Sequence, residues 1–298
     1  MKKFLTLLLA LATFTAAGCG GNSSDKNYLP VMLERSVISL DSSYVIDTTS
    51  MEVLGNCVEG LLRLGRDGKI VPALADSYEI SEDGKIYTFH LRDAKWTNGD
   101  EVTAQDFVFA WRRVCKDANE YAYLFSDIAH VKNAAAIISN RISAVTLGVS
   151  APDSKTLVVE LEVPVPFFLS LVPLHIFYPV NEKFYNSLAA KTYAATPETF
   201  LSNGAFVLSE YLPGSANIQL KKNDSYWNAA NVKLDNWQYQ VVTSSDNALT
   251  AFKNGTLNVV GIGGSQIESV QKDTELLKNL QSIPSGELSY ISFNQDPK

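Results

Sequence analysis

Apolar residues recur at helical spacing in two parts of the chain. In residues 50–62 they fall three or four positions apart, and Ser50 is placed to cap the first turn. Residues 245–252 repeat the pattern on a shorter scale, and Asn254-Gly255 after them is a typical C-terminal cap. The pattern therefore predicts a helix in each stretch.

A third helix is predicted over residues 103–116, where large apolar residues share one face. Thr103 and Asp106 form a variant of the capping box, with Asp in place of the usual Glu. Arg112 and Arg113 lie near the end of the helix, which favours cations. We expect a solvated basic face there rather than a phosphate site.

Strand signals alternate with these helices. Residues 77–80 and 86–92 indicate a β-hairpin, because Asp83-Gly84 between them suits a tight turn in which glycine takes a positive φ. Other stretches rich in β-branched or alternating residues predict strands at 31–40, 145–149, 156–161, 206–211, 218–221, 237–242 and 257–260. The predicted fold class is therefore α+β, a mixed α/β arrangement without regular βαβ winding.

The first residues have the pattern of a bacterial export signal. Met1-Lys2-Lys3 is a positive n-region, and residues 4–14 are apolar but shorter than the ~20 residues that a membrane span needs. The order Ala-Gly-Cys resembles a lipobox, which predicts lipidation of Cys19 and removal of residues 1–18; an ordinary signal with a chance Cys is the alternative. Residues 19–27 are polar and Gly/Ser-rich, as expected of a flexible tether.

Composition and charge narrow the classes of function. The chain has 298 residues, of which 46% are hydrophobic, so it can bury a sizeable core and is long enough for about two domains. Its net charge of −7 becomes −9 without residues 1–18, which hold two lysines and no acidic residue. Binding of nucleic acid through a broad positively charged surface is thereby excluded. The protein's own charge would not attract it to anionic lipid either.

Few residues suit metal or redox chemistry. The whole chain has three Cys and three His, so neither a disulfide scaffold nor a metal cluster is expected. Cys57 and Cys115 lie in apolar, helical-looking stretches, and we expect buried free thiols, with a disulfide as the alternative. His90, His130 and His175 are expected to be structural. Because no hydrolase or redox motif is present, we expect neither an enzyme nor a cofactor.

Four blocks, in chain order, resemble one protein family. Residues 72–96 (PALADSYEISEDGKIYTFHLRDAKW), continued by 98–113, closely resemble the signature segment of the family 5 extracellular solute-binding proteins. These are the dipeptide- and oligopeptide-binding lipoproteins of bacterial ABC importers. Glu59-Gly60-Leu61-Leu62, residues 203–228 and residues 251–258 are similar to further family blocks. Together the blocks span most of the chain behind the signal, which makes the resemblance specific.

This resemblance implies a periplasmic-binding-protein-like type II lobe, in a protein whose two lobes enclose a cleft. The implied first domain combines residues 28–58 and 182–285, and a hairpin-rich second domain, 59–181, is inserted between them. Residues 286–298 would begin the hinge and the opposing lobe, most of which is missing. The expectation is therefore a fragment, a truncated gene product or an incomplete sequence.

The resemblance also implies which residues face a ligand. In the oligopeptide binders an extended peptide pairs with protein main chain, while its side chains enter wet pockets. An ungapped alignment places residues 46–49 on the ligand-lining segment. Asp47 would offset a positive charge on the peptide, and the main chain at Thr48, beside Thr49, would pair with it. An ordinary loop is the alternative, and Ile46 departs from the Glu of some family members.

Two further places are implied as cleft contacts. Tyr121 resembles a cleft tyrosine, with a one-residue deletion nearby, and half-buried packing is its alternative. A loop whose glycines would let a peptide main chain approach closely is formed by Gly261, Ile262, Gly263 and Gly264. A nucleotide loop is disfavoured there, because the glycine spacing is not the full fingerprint and no helix with an acidic partner clearly follows.

The predicted function is capture of extended peptides by an exported, lipid-anchored monomer that faces the periplasm or the cell exterior. Its partners would be the peptide, the permease and ATPase subunits of an ABC importer, and the membrane through the lipid anchor, with no nucleic acid. Two alternatives stay open. One is the same fold with another cargo, such as a nickel chelate, haem, a sugar or a peptide pheromone. The other is a truncated surface lipoprotein without a transport role.

Overall fold

The computed structural model describes residues 28–65, 67–189, 192–282, 291 and 293. The strands assigned there are β1 Tyr28–Leu33, β2 Leu62–Leu64, β3 Ile70–Pro72, β4 Ala75–Ile80, β5 Ile86–Leu91, β6 Val149–Asp153, β7 Thr156–Glu160, β8 Phe206–Glu210, β9 Asn217–Lys222 and β10 Asn236–Val241. The α-helices are α1 Thr48–Cys57, α2 Ala104–Asp117, α3 Ala134–Ile138, α4 Phe168–Leu171, α5 Glu182–Ser187, α6 Ser245–Lys253, α7 Gly264–Lys272 and α8 Thr274–Leu277. No helix in this part of the chain is long and apolar enough to cross a bilayer.

Several predictions fall outside the described residues. These are the leader over residues 1–18, the lipidated Cys19, the tether over 19–27 and most of the segment 286–298. They stay predictions.

Two four-stranded sheets carry the fold. The first has the order β1-β10-β9-β8, in which β1 runs parallel to β10 and the other neighbours are antiparallel. The second has the order β4-β5-β7-β6 and is antiparallel throughout. Strands β2 and β3 form a separate short antiparallel pair. With one parallel pair among the named strands of the described residues, the α+β class is confirmed.

The predictions that depend on residues close together in the sequence are confirmed. The β4–β5 hairpin turns at Gly84, whose φ is +68° and whose N–H donates to the Ser81 carbonyl at 2.9 Å. At the start of α2 the Thr103 N–H donates to Asp106 Oδ2 at 2.9 Å, as a capping box requires. The predicted apolar face of α2 is buried, with Trp111 fully enclosed.

The start of α1 differs from the prediction. The helix begins at Thr48, and its cap is Asp47, whose Oδ1 accepts from the Ser50 N–H at 2.8 Å. Ser50 therefore lies inside the first turn, and its Oγ accepts from the Ile38 N–H at 3.0 Å. The predicted strand over 31–40 stops at Leu33, and further on the Ile38 N–H bonds to this side chain instead of to a neighbouring strand.

The predicted solvated face at Arg112 and Arg113 is wrong for Arg113. This residue is buried, and its guanidinium donates to both carboxylate oxygens of Asp41, at 2.7 and 2.5 Å, and to Ser43 Oγ at 2.5 Å. The partner lies 72 residues earlier in the chain, so helix periodicity could not reveal it. Arg112 is half-buried and donates to the Val145 carbonyl at 3.0 Å.

Two other predicted strands are shorter than expected. Residues 144–146 form a 3₁₀ turn, in which Thr146 Oγ1 donates to the Ser143 carbonyl at 2.7 Å, and β6 starts only at Val149. Residues 257–260 form a single parallel bridge between Val259 and Val31 rather than a regular strand.

Two large hydrophobic cores follow the two sheets. One core packs α1 against the sheet that contains β1, and the fully buried Tyr239 lies within it. The other packs α2 against the sheet that contains β5, around Trp96, Trp111 and Phe177. Cys57 belongs to the first core and Cys115 to the second.

Both cysteines are free and buried, as predicted. Since they lie in different cores, neither thiol is the neighbour of the other. Burial raises the pKa of each thiol to about 12, so both stay protonated at neutral pH. The disulfide alternative has no support in this geometry.

A dense group of hydrogen bonds lies between the two cores, and we call it the Glu59 junction. Buried Glu59 accepts from the Tyr226 hydroxyl at 2.8 Å and from Trp227 Nε1 at 2.6 Å. Asn203 closes the group from the main-chain side, because its Oδ1 accepts from the Glu59 N–H at 2.8 Å and its Nδ2 donates to the Glu59 carbonyl at 3.2 Å. The junction consists of Glu59, Asn203, Gly204, Tyr226 and Trp227.

Candidate functional site

Three parallel segments end together beside the start of α1. The Asn258 N–H donates to the Pro30 carbonyl at 2.8 Å and the Met32 N–H donates to the Val259 carbonyl at 3.0 Å, so residues 258–260 follow one side of β1. Strand β10 follows the other side. Ligands in open α/β sheets bind outside the carboxyl ends of the strands. We call this place the carboxyl edge; it comprises Glu34, Thr48, Thr49, Glu52 and Gly261.

A cavity of about 400 Å³ opens at the carboxyl edge. The first turn of α1 contributes Thr48 and Thr49 to its wall, and Gly261 contributes from the segment that follows Val260. The volume lies within the range of about 300–1,000 Å³ that is usual for small-ligand sites. The structure therefore brings together two of the places that the sequence pointed to.

The cavity is acidic. Glu34 and Glu52 line it, and no basic side chain is found among its described lining residues. Burial raises the pKa of Glu52 above its ordinary value, although the neighbouring Tyr239 hydroxyl lowers it. Such an environment favours a cationic or hydrogen-bond-donating ligand group over an anion.

The glycine-containing loop, residues 261–264, is open, and Gly261 is its member that lines the cavity. A Cβ added to Gly263 or Gly264 would meet no atom within 4 Å, and one added to Gly261 would approach only Glu34 Oε1, at 3.5 Å. None of these three glycines has a positive φ. Space for a ligand main chain is therefore present, but the backbone conformation itself does not demand glycine.

A helix follows this loop, although the sequence did not show one clearly. Helix α7 begins at Gly264, and Gln266 Oε1 accepts from the Gly263 N–H at 3.1 Å. Gln266 in turn donates to Asp246 Oδ1 at 2.8 Å. A side chain of the protein thus already occupies the Gly263 N–H, which a nucleotide phosphate would need.

Asp47 is less available than predicted. Its Oδ1 caps Ser50, and its Oδ2 is shielded from solvent and has no hydrogen-bond partner among the described residues. A ligand ammonium group therefore cannot reach Oδ2, and at Oδ1 it would share an oxygen that already caps α1.

Tyr121 does not line the cavity at the carboxyl edge. Its hydroxyl donates to the Ile46 carbonyl at 3.4 Å, and its ring meets the edge of the His175 ring at a centroid distance of 5.8 Å. The side chain therefore contacts the segment before α1 from the opposite core. Ile262 lines a second cavity, of about 560 Å³, between α6 and α7.

Comparison with known proteins agrees with this architecture. The family model described as bacterial extracellular solute-binding proteins, family 5 Middle, matches residues 69–298. The chain belongs to this family. The resemblance carried by the four sequence blocks is thereby confirmed.

Relatives within family 5 are similar over nearly the whole chain. The oligopeptide-binding protein OppA of Bacillus subtilis is 32% identical over 301 residues, which cover 98% of this chain and 54% of that protein. The solved substrate-binding domain of an oligopeptide ABC transporter from Bacillus anthracis superposes with a TM-score of 0.79 at 40% identity, covering 84% of this chain and 48% of that one. Listeria monocytogenes OppA bound to peptide gives a TM-score of 0.75 at 34% identity, covering 78% and 46%.

The chain thus spans about half the length of the curated relatives it matches. The family 5 likeness confirms a periplasmic-binding-protein-like lobe for this part of the molecule.

Two residues of this candidate site are not among those that the sequence indicated. Glu34 directly follows β1, and Glu52 lies on α1, one turn after Thr48. A carboxylate just after a parallel strand is a usable signal. It becomes visible only once β1 is known to pair with β10, and these strands lie more than 200 residues apart.

Proposed function

We propose that this chain is the ligand-capturing part of a peptide-binding protein that serves an ABC importer. The observation that carries the proposal is the acidic cavity at the carboxyl edge, in which the first turn of α1 faces an open, glycine-containing loop. An extended peptide pairs there with protein main chain, and its positively charged end lies near Glu34 and Glu52. No chemical conversion of the ligand is part of this role.

The individual residues take distinct parts in the proposal. Thr48 and Thr49 offer main-chain groups at one wall, while the loop from Gly261 to Gly264 gives the peptide backbone room at the other. Asp47 contributes its negative charge at a distance, because Oδ1 caps α1 and Oδ2 is shielded from solvent. Tyr121, which lies outside this cavity against the Ile46 carbonyl, takes part only where the bound peptide extends beyond the carboxyl edge.

We also propose the domain division, the membrane anchor and the transporter partners, from the family membership and the N-terminal sequence. Residues 28–58 and 182–285 form one domain and 59–181 the inserted second, and an opposing lobe closes over the peptide about a hinge. Lipidated Cys19 and the tether hold the monomer at the outer face of the membrane, where permease and ATPase subunits receive the peptide. A Cys19→Ala variant should then move from the membrane fraction to the soluble fraction.

The binding proposal is tested by titrating the ¹⁵N-labelled chain with trialanine and with N-acetyl-trialanine. We expect weak binding by this single lobe, with amide shifts at residues 48–49 and 261–264 and a preference for the free amine. If millimolar trialanine moves none of these amides, the peptide proposal fails for this chain. Mass spectrometry of ligand that co-purifies with the protein separates peptide from another cargo.

A further inference from the structure

The segment that leads into α1 is held along its length by side chains from residues 113–175. Arg113 binds Asp41 at its start, and the Tyr44 hydroxyl donates to Asp117 Oδ2 at 2.8 Å. Both partners lie on α2. The position of this segment is therefore set from outside its own sheet.

The last contacts of the series fall on two successive carbonyl groups. His175 Nε2 lies 2.8 Å from the Val45 carbonyl oxygen, and the Tyr121 hydroxyl donates to the Ile46 carbonyl at 3.4 Å. The two rings meet edge to face. His175 is only 9% exposed and Val45 is fully buried, so the first contact is protected from water.

The ionisation of His175 follows from its neighbours. A carbonyl oxygen can only accept, so Nε2 must carry the proton. Burial lowers the pKa of His175, and this outweighs the Val45 carbonyl and the Asp47 carboxylate, which raise it. At neutral pH the ring is therefore the neutral Nε2–H tautomer.

We propose that His175 is a positioning residue for the carboxyl edge: with Tyr121 it fixes the carbonyls of Val45 and Ile46, and so the first turn of α1 that follows them. The residue does not touch the ligand in this role. Its effect on binding rests on the proposed function, but its effect on the first turn does not.

Two backbone amides, whose hydrogen bonds close the first turn of α1, report on its stability. The Ser50 N–H donates to Asp47 Oδ1 at 2.8 Å and the Met51 N–H to the Asp47 carbonyl at 3.1 Å. If His175 fixes Val45, removal of its donor should loosen Asp47 and open both bonds more often.

The experiment combines hydrogen exchange with ¹⁵N spectroscopy of the ring in the full chain. His175→Phe keeps an aromatic ring and removes the donor, His175→Gln keeps a donor near the Nε2 position, and His90→Phe is the control at a half-exposed histidine on β5. We expect exchange of the Ser50 and Met51 amides to quicken about fivefold or more in His175→Phe, the factor that loss of one hydrogen bond implies. The amides of β9 should not change, and His175→Gln should restore most of the protection.

Two results of the exchange and ¹⁵N experiments would overturn the positioning role. One is unchanged exchange at Ser50 and Met51 in His175→Phe; the other is a wild-type ring that carries its proton on Nδ1, a measurement that needs no variant to fold. Tyr121→Phe, which deletes only the second contact, should quicken the same amides by a smaller factor. If wild type binds no trialanine, the proposed function fails while the exchange result still decides the role of His175. If wild type binds and His175→Phe binds equally well, the positioning role is wrong.

Discussion

The Glu59 junction and the carboxyl edge both place glutamates beside a glycine, but they treat them in opposite ways. At the junction, the Glu59 carboxylate is buried and both of its oxygens accept from aromatic side chains. At the carboxyl edge, Glu34 is exposed at the wall of a cavity. The Glu59 carboxylate stabilises the fold, whereas the Glu34 carboxylate is accessible to a ligand in the cavity.

The family blocks fall mainly on the first kind of region. Glu59, Asn203 and Trp227 all come from sequence blocks that resemble the family, and they meet in one hydrogen-bonded group. The carboxyl edge draws Thr48 and Glu34 from outside those blocks. The family blocks thus mark mainly where segments must fit together, whereas the acidic wall of the candidate site emerges only from the geometry.

The largest expected effect is at Glu59. Glu59→Ala leaves the Tyr226 hydroxyl and Trp227 Nε1 without their acceptor, and we expect a loss of about 3 kcal/mol in the free energy of unfolding. Glu34→Ala is the matched control, and its exposed position predicts a change within about 0.5 kcal/mol. Urea denaturation of both variants measures the difference. Equal losses would mean that the two regions do not differ as described.

The glycines give the second contrast. A Cβ on Gly204 would lie 2.8 Å from the Cys57 carbonyl carbon and 2.9 Å from its oxygen, and backbone cannot move aside easily. Gly204→Ala should cost about 2 kcal/mol of unfolding free energy. Gly261→Ala places its Cβ at ordinary contact distance from a flexible side chain, so a change within about 0.5 kcal/mol is expected. Thermal and urea unfolding of the two variants measure both changes. A Gly261→Ala variant as destabilised as Gly204→Ala would contradict the prediction.

These contrasts also show what the sequence could and could not reveal. The β4–β5 hairpin and the capping box of α2 depend on residues three or four apart, so their signals were sufficient. Arg113 was placed on the surface because Asp41 is 72 residues away, and a helical pattern carries no information at that range. The acidic wall was missed for the same reason: Glu34 and Glu52 meet only after β1 has docked beside β10.

The third prediction concerns how the free energy of unfolding depends on pH through the ionisation of Glu59. Burial raises the pKa of Glu59, although Trp227, Tyr226 and two arginines lower it, so the folded chain holds this proton to higher pH than the unfolded chain does. The resulting stabilisation is complete below the ordinary value near 4.5 and is lost as the pH rises through the folded pKa.

Wild type should therefore lose unfolding free energy relative to Glu59→Gln as the pH rises from 4 to 7. Urea denaturation of the two proteins across this range measures the difference, in which all other titrating groups cancel to first order. A wild type that gains stability over Glu59→Gln with rising pH would show that the hydrogen-bond donors outweigh burial.

The smallest expected effect lies at the carboxyl edge, and it concerns ligand rather than fold. Glu34→Gln combined with Glu52→Gln removes two negative charges from the cavity wall while keeping side-chain size. We expect about a threefold loss of affinity for trialanine, since partly solvated charges at this range each contribute a fraction of a kcal/mol, and no loss for N-acetyl-trialanine. Glu82→Gln, in the exposed β4–β5 turn, is the control that removes one negative charge away from the cavity, and it should change neither affinity. If the variant loses the same factor of affinity for both peptides, the two glutamates form part of the cavity wall but do not interact with the charged amine of the ligand.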